Sequence, residues 1–173
     1  MRFQGRVWLF GDNISTDLIM PGHRVLARPG ISDREAAQFC MEANRPGWAQ
    51  QVTPGDIIVA GRNFGCGSSR PAARLLKALG ISCVVADSIA RLFFRNSIHI
   101  GFPVLICPGV SRIFQEGDIA EVDIETGRVR NLTRGVEVQG EPLPKDSPPY
   151  QILMAGGLDP YLKARLAGER RSP

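Results

Sequence analysis

Apolar and polar positions alternate loosely over residues 3–10, with Phe3, Gly5, Val7 and Leu9 set against Gln4, Arg6, Trp8 and Phe10. The pattern predicts a strand. Three later runs, 57–60, 81–86 and 102–107, are short, apolar and rich in β-branched residues. They predict strands covered on both faces. Between them, 71–79 and 89–97 carry apolar residues at helical spacing, the second through Ile89, Leu92, Phe93 and Phe94. The middle of the chain therefore reads β-α-β-α-β, which implies a small parallel sheet with right-handed crossovers. From Gly117 the pattern changes. Residues 118–124, 128–132 and 136–138 alternate strictly around Thr126-Gly127 and Arg134-Gly135, as short antiparallel strands with one solvated face do.

The remaining segments are shorter. Ser32-Asp33-Arg34-Glu35 is a capping-box pattern that opens a helix running to Ala43, ended by Asn44-Arg45-Pro46-Gly47. Residues 23–30 have no period and read as a loop. Four prolines between 142 and 149 stiffen a connection to a short helix over 150–155, and Asp159-Pro160 starts a last helix. Ser68 or Ser69 fits the N-cap of the 71–79 helix, with Pro71 in its first turn and Gly80 at its stop. Asp87-Ser88 fits the cap of the next helix. One domain over 1–168 and a frayed tail over 169–173 follow.

Composition narrows the function. The 173 residues are 43% hydrophobic and 22% charged, a globular balance. No run reaches the roughly 20 apolar residues of a membrane span, and the N-terminus lacks a signal-peptide stretch, so a cytoplasmic protein is expected. The net charge of +4 is dispersed, without a basic stripe interleaved with aromatics, which argues against nucleic acid. Cys40, Cys66, Cys83 and Cys107 form no Cys-x-x-Cys pair. No metal or iron–sulfur site held by this chain alone is expected, and Cys40 reads as a core thiol.

Two segments carry candidate chemistry. Gly61-Arg62-Asn63-Phe64-Gly65-Cys66-Gly67-Ser68-Ser69-Arg70 lies between a strand and a helix N-terminus. Glycines on both sides of Cys66 permit close backbone approach, the helix end favours an anion, and Arg70 presents a fork suited to a carboxylate or phosphate. A purely structural strand–helix turn fits the same glycines. Upstream, Asp12, Asn13, Ser15, Thr16 and Asp17 crowd a turn. Local capping accounts for Asp12 and Asn13. It accounts less well for Asp17, which runs straight into Leu18-Ile19-Met20, where a carboxylate needs a specific partner.

Four segments in order resemble one family. They are Gly11-Asp-Asn-Ile-Ser-Thr-Asp17 with Ile19-Met-Pro-Gly22, the Gly61–Arg70 turn, Asp87-Ser-Ile-Ala-Arg-Leu-Phe-Phe-Arg-Asn96, and Ile152-Leu-Met-Ala-Gly-Gly157 with Tyr161-Leu162. The chain resembles the small subunits of 3-isopropylmalate dehydratase, the swivel domain of the aconitase superfamily as a separate chain. The resemblance implies a swivelling β/β/α fold and half of a hydro-lyase of leucine biosynthesis. A large subunit would hold the 4Fe–4S cluster, and the substrate would be a small hydroxy dicarboxylic acid. It implies Ser68 as the base that removes the carbon-bound proton, and Asp17 near the proton network with Thr16 beside it. Arg70 would be the carboxylate ligand, and Ser69 an accessory contact. Whether the isolated chain pairs with itself through surface that the large subunit covers is left open.

The sequence departs from that family twice. Pro71-Ala72 replaces an acidic–polar pair after the Arg, and the loop after Pro21-Gly22 reads His-Arg-Val-Leu-Ala-Arg-Pro-Gly where the family has Tyr-Leu-Arg-Thr. In that loop Arg24 and Arg28 are either solvated or bind a further carboxylate, and Val25 and Leu26 line an apolar pocket. Isopropylmalate leads as substrate, with 2,3-dimethylmalate, homocitrate or a citrate-like acid behind it. A non-catalytic binding partner that kept the fold is the rival from another class.

Overall fold

The computed structural model describes residues 1–25, 28–67 and 70–169; Leu26, Ala27, Ser68, Ser69 and residues 170–173 lie outside the described residues. Its frame is one seven-stranded mixed sheet in the order β4-β3-β2-β1-β5-β6-β7. The strands are β1 (Arg2–Phe10), β2 (Ile57–Ala60), β3 (Cys83–Ala86), β4 (Val104–Ile106), β5 (Ile119–Asp123), β6 (Arg128–Asn131) and β7 (Val136–Gln139). The chain is thus α/β, with the parallel and antiparallel parts foreseen in the sequence fused through β1.

β1 changes partner halfway. Arg2 to Arg6 pair antiparallel with β5, and Val7 to Phe10 pair parallel with β2. Beyond Arg6 the edge of β1 that faces β5 would lose its ladder, yet its polar groups are met. Val7 N–H donates to the Asp118 carbonyl at 2.8 Å and Gly117 N–H to the Val7 carbonyl at 2.9 Å. Leu9 N–H donates to Glu116 at 2.7 Å, and Arg45 donates to the Leu9 carbonyl at 2.9 Å. Gly5 stands at this handover. A Cβ there would run into the carbonyl of Gly55, in the turn that enters β2. The next residue, Asp56, is buried and accepts from Trp8 Nε1 at 2.7 Å, Arg6 at 3.1 Å and Thr53 N–H at 2.9 Å.

Every residue of β2 and β3 is buried, as their unbroken apolar runs predict. The crossovers run through α4 (Ala72–Leu79) and α5 (Arg91–His99). With α3 (Asp33–Ala37), α6 (Pro148–Met154) and α7 (Leu158–Glu169) they form a row in which each helix packs on the next. Lys77 reaches from α4 to the carbonyl of Ile100 at 2.5 Å, a cation on the negative end of α5. Among the described residues no helix is long and apolar enough to cross a membrane.

Several expected boundaries give way. The capping box of Ser32 and Glu35 forms, but the helix stops at Ala37. Beyond it the N–H groups of Gln38, Phe39 and Cys40 bond three residues back. Met41 then turns to φ 60° and donates to the Ile19 carbonyl, so a tertiary contact ends the helix. Residues 23–25, read as the start of a loop, fall instead in the single-turn helix α2 (Gly22–Val25); α1 (Thr16–Ile19) precedes it, with Ser15 as its cap. The N-cap of α4 is Pro71 and carries no side-chain bond. Asp87 and Ser88 do not cap α5, which starts at Arg91. Asp87 accepts from Ser111 N–H and Oγ instead, and Ser88 Oγ accepts from Asn63 N–H at 2.8 Å.

Two outcomes test the joint. Gly5→Ala forces β1 off the Gly55 carbonyl and should cost about 2 kcal/mol by denaturant titration. The second concerns Asp118, which accepts from Gln115 N–H, Asn131 and Arg134. Burial opposes its ionisation, but these donors prevail and hold its carboxyl below the ordinary 3.8. Ionised Asp118 therefore stabilises the fold at pH above 3.8 and stops doing so as pH falls through the lowered value. Asp118→Asn should lower the melting midpoint at neutral pH and flatten its decline below about pH 4.

Candidate active site

The loops that leave β1, β2 and β3 emerge side by side, because those strands are parallel and in register (Phe10 beside Ala60, Ala60 beside Ala86). The carboxyl ends of parallel strands are where such sheets bind ligands. Here three motif segments are stitched to one another. Asn13 N–H donates to the Arg62 carbonyl at 2.8 Å, Gly65 N–H to the Ile14 carbonyl at 2.7 Å and Thr16 N–H to the Cys66 carbonyl at 2.8 Å. On the other side Phe64 N–H donates to the Ser88 carbonyl at 3.0 Å, and Ala90 N–H to the Phe64 carbonyl at 2.9 Å. Asp12 and Asn13, expected to cap locally, reach across this seam. Asp12 takes Arg62 N–H at 2.7 Å and its guanidinium at 2.9 and 3.1 Å; Asn13 Oδ1 takes Asn63 Nδ2 at 2.9 Å. The Arg62 N–H and guanidinium hold the Asp12 carboxyl below its ordinary value.

This seam brings Asp17 to Arg70. Arg70 Nε donates to Asp17 Oδ1, so the carboxylate beside the core has the partner its position demands. The rest of the Arg70 fork lies over Gly22. A Cβ on Gly22 would coincide with Arg70 Nη1, and that nitrogen is buried without a partner among the described residues. Gly22 is thus the seat of the guanidinium, a role that no pattern in the sequence assigns to it. A fork with one arm on Asp17 and another nitrogen unmet is equipped to take a carboxylate.

The other expected site residues are distributed as follows. Thr16 is buried, and Gly67 faces it and Ser15. Ser68, Ser69 and Leu26 lie outside the described residues; the neighbours that flank the two serines, Gly67 and Arg70, both face α1. Gly65 accommodates the Phe93 ring against its backbone, so its freedom serves packing and not ligand approach. The helix end is weaker than the sequence suggests, because Pro71 has no N–H and that of Ala72 is engaged by the Arg70 carbonyl at 2.7 Å. Arg24 is paired with Glu42 at 3.1 Å, and Arg28 lies over the Phe39 ring, 5.1 Å from its centroid.

Val25 and Arg28 line a cavity of about 240 Å³ together with Met20, Ile31, Ala36 and Leu75; Pro71 and Arg74, just beyond Arg70, close its end. Of these only Val25 and Arg28 stood out in the sequence. Met20, Ala36 and Leu75 are core positions by pattern, and only the fold turns them toward one space. Among the described residues no three His, Cys, Asp or Glu side chains are grouped to hold a metal ion. Burial pushes the Cys40 and Cys83 thiols up to about 12 and the Cys107 thiol up to about 11, which disfavours the thiolate a metal requires.

The sequence and the fold resemble those of known proteins. A profile of the aconitase C-terminal domain matches residues 14–117. The isopropylmalate/citramalate isomerase small subunit of Methanocaldococcus jannaschii is 50% identical over 95% of this chain and 95% of its own length. The 3-isopropylmalate dehydratase small subunit of Methanosarcina acetivorans is 47% identical over 96% and 99%. A crystal structure titled 3-isopropylmalate dehydratase from M. jannaschii superimposes with a TM-score of 0.90, at 36% identity over 99% of this chain and all of that one. The chain belongs to the aconitase C-terminal domain family, and within it to the small subunits of 3-isopropylmalate dehydratase.

Asp17 and Arg70 side chains are 57% and 29% exposed, so their pair contributes little to stability, about 0–1 kcal/mol. Asp17→Asn should therefore leave the melting midpoint within a few degrees. Gly22→Ala should displace the Arg70 fork and raise KM about 10- to 100-fold in the assembled enzyme, with a smaller change in kcat, by steady-state kinetics.

Proposed function

We propose that this chain is the small subunit of a two-subunit hydro-lyase that interconverts 3-isopropylmalate and 2-isopropylmalate by dehydration and rehydration. The observation that carries the reading is the seam that joins Thr16-Asp17 to the Gly65–Arg70 turn. It leaves a guanidinium nitrogen unpartnered among the described residues, one residue before Pro71, which lines the cavity with Met20, Val25 and Leu75. A substrate with a carboxylate and a branched alkyl group fits that pairing. The names of relatives about half identical over nearly the full length support it.

In this reading Ser68 takes the carbon-bound proton. The positive charge of Arg70, two residues on, favours its deprotonated form. Arg70 exchanges Asp17 for a substrate carboxylate. Asp17, released, belongs in this reading to the proton network near the reacting atoms. The apolar walls at Met20, Val25 and Leu75 receive the alkyl group and exclude water from it. A 4Fe–4S cluster would be held by the large subunit and would supply the Lewis acid for loss of the hydroxyl group.

A second substrate has a specific observation in its favour. The relative at 50% identity is named for citramalate as well, which has a methyl group where isopropylmalate has a branched one. A hydrophobic pocket separates such side groups by only about 1–3 kcal/mol per methylene, so one site can serve both.

The test is reconstitution without oxygen with a cluster-bearing large subunit, following absorbance of the unsaturated product from a panel of hydroxydiacids. Isopropylmalate should have the highest kcat/KM and citramalate should be turned over more slowly. Preference for homocitrate or citrate would overturn the substrate. Ser68→Ala should reduce kcat at least about 1,000-fold with assembly intact by gel filtration. Unchanged turnover would remove Ser68 from the role of base.

A further inference from the structure

We propose that the groove between α5 and α6 seats the large subunit, and that it takes an acidic segment of that partner bearing an apolar side chain. The inference rests on the small-subunit reading above. The groove encloses about 350 Å³. Phe94, Ile98, Ile106 and Ile152 form its walls, and Arg91, Arg95 and His99 stand among them. Beside it Leu92 is 40% exposed.

The charges of this groove are unmet. Arg91, Arg95 and His99 have no side-chain hydrogen bond or ion pair among the described residues. Arg91 and Arg95 are four apart on one helix, where like charges repel. The chain has no Asp or Glu between Asp87 and Glu116, and α6 has none. Many arginines elsewhere meet carboxylates, Arg24 with Glu42, Arg45 with Glu116, Arg62 with Asp12 and Arg74 with Asp33, although among the described residues Arg34 and Arg112 do not. Three such unmet cations set along one helix around one apolar groove are complementary to acid supplied from outside.

The shape favours a polypeptide segment over a small anion. Arg91 to His99 spans α5 from end to end, roughly 12 Å at 1.5 Å per residue, beyond the reach of one carboxylate. The surface is also continuous with the candidate site. His99 borders a second depression whose other wall is Pro71 and Arg74 at the start of α4, directly after Arg70. A subunit that closes over Arg70 to complete the site reaches α5 by the same path.

The test measures association of this chain with the large subunit that gives turnover or stable binding with the wild type. Isothermal titration is run at two salt concentrations. Arg91→Glu/Arg95→Glu should raise the dissociation constant at least about 100-fold and reduce its salt dependence. Arg95→Gln alone should raise it about 10-fold. Arg128→Glu, on β6, should leave it within about 2-fold, and melting curves should show all variants folded. A double variant that binds like the wild type overturns the proposal and leaves the activity intact. A wild-type chain that is dimeric by sedimentation, and monomeric as the double variant, overturns it in favour of a second copy. Binding without turnover overturns the catalytic reading while the titration still decides the groove. A wild-type chain that binds no large subunit overturns both.

Discussion

The structure depends on β1 pairing along both edges and changing partner at its middle. Its first half belongs to an antiparallel sheet and its second to a parallel one, and Gly5 with the buried Asp56 lets the chains cross close at the change. Because Val7 to Phe10 run parallel and in register with β2, the segments that follow Phe10 and Ala60 leave the sheet together. They need only continue the contact to bring Asp17 and Arg70, 53 residues apart, to one point. The seam of Asp12 with Arg62, Asn13 with Asn63 and Thr16 with Cys66 is that continuation in side chains and backbone. A shift of register between β1 and β2 would separate the two halves of the site without altering either motif.

This arrangement explains why residues read as local punctuation are long-range connectors. Asp12 and Asn13 sit in a turn and have the composition of one, yet their side chains are met from β2's loop. Ser88 and Asp87, which look like a helix cap, instead tie the third loop to the second and to the 3-10 turn of Val110–Arg112. Polar residues at the carboxyl ends of three parallel strands have nearer partners across the loops than along the chain.

Much of the frame was legible because periodicity reports burial. The continuous apolar runs of β2 and β3 and the alternation of β5 and β6 each stood out, and each element formed. The helix after Ser32 was overestimated because its apolar spacing continues to Ala43, while the Met41 contact with Ile19 that ends it is tertiary. In the site, Asp17 was legible as a carboxylate needing a partner and Arg70 as a fork needing an anion. That each holds the other was not, since no spacing rule links positions brought together by strand register. Gly22 was illegible for the same reason: only the folded chain shows what occupies the space a side chain would fill.

The Asp17–Arg70 pair also differs in kind from the other charged contacts of the core. Asp56 and Asp118 are buried and take three donors each, so removing one partner leaves an expensive unmet charge. Such pairs fix geometry and cannot exchange. Asp17 is more than half exposed and is joined to Arg70 by a single nitrogen. The pair keeps Arg70 over Gly22 when no ligand is present, and water can receive Asp17 when one arrives. A substrate carboxylate then competes against a contact worth no more than about 1 kcal/mol. Had the guanidinium been held as Asp56 holds Arg6 and Trp8, its orientation would be as well defined, but most of the energy of substrate binding would go to breaking it. A weak, exposed partner for a fork seated over Gly22 is what a carboxylate site requires if it is to be both ordered when empty and open to exchange.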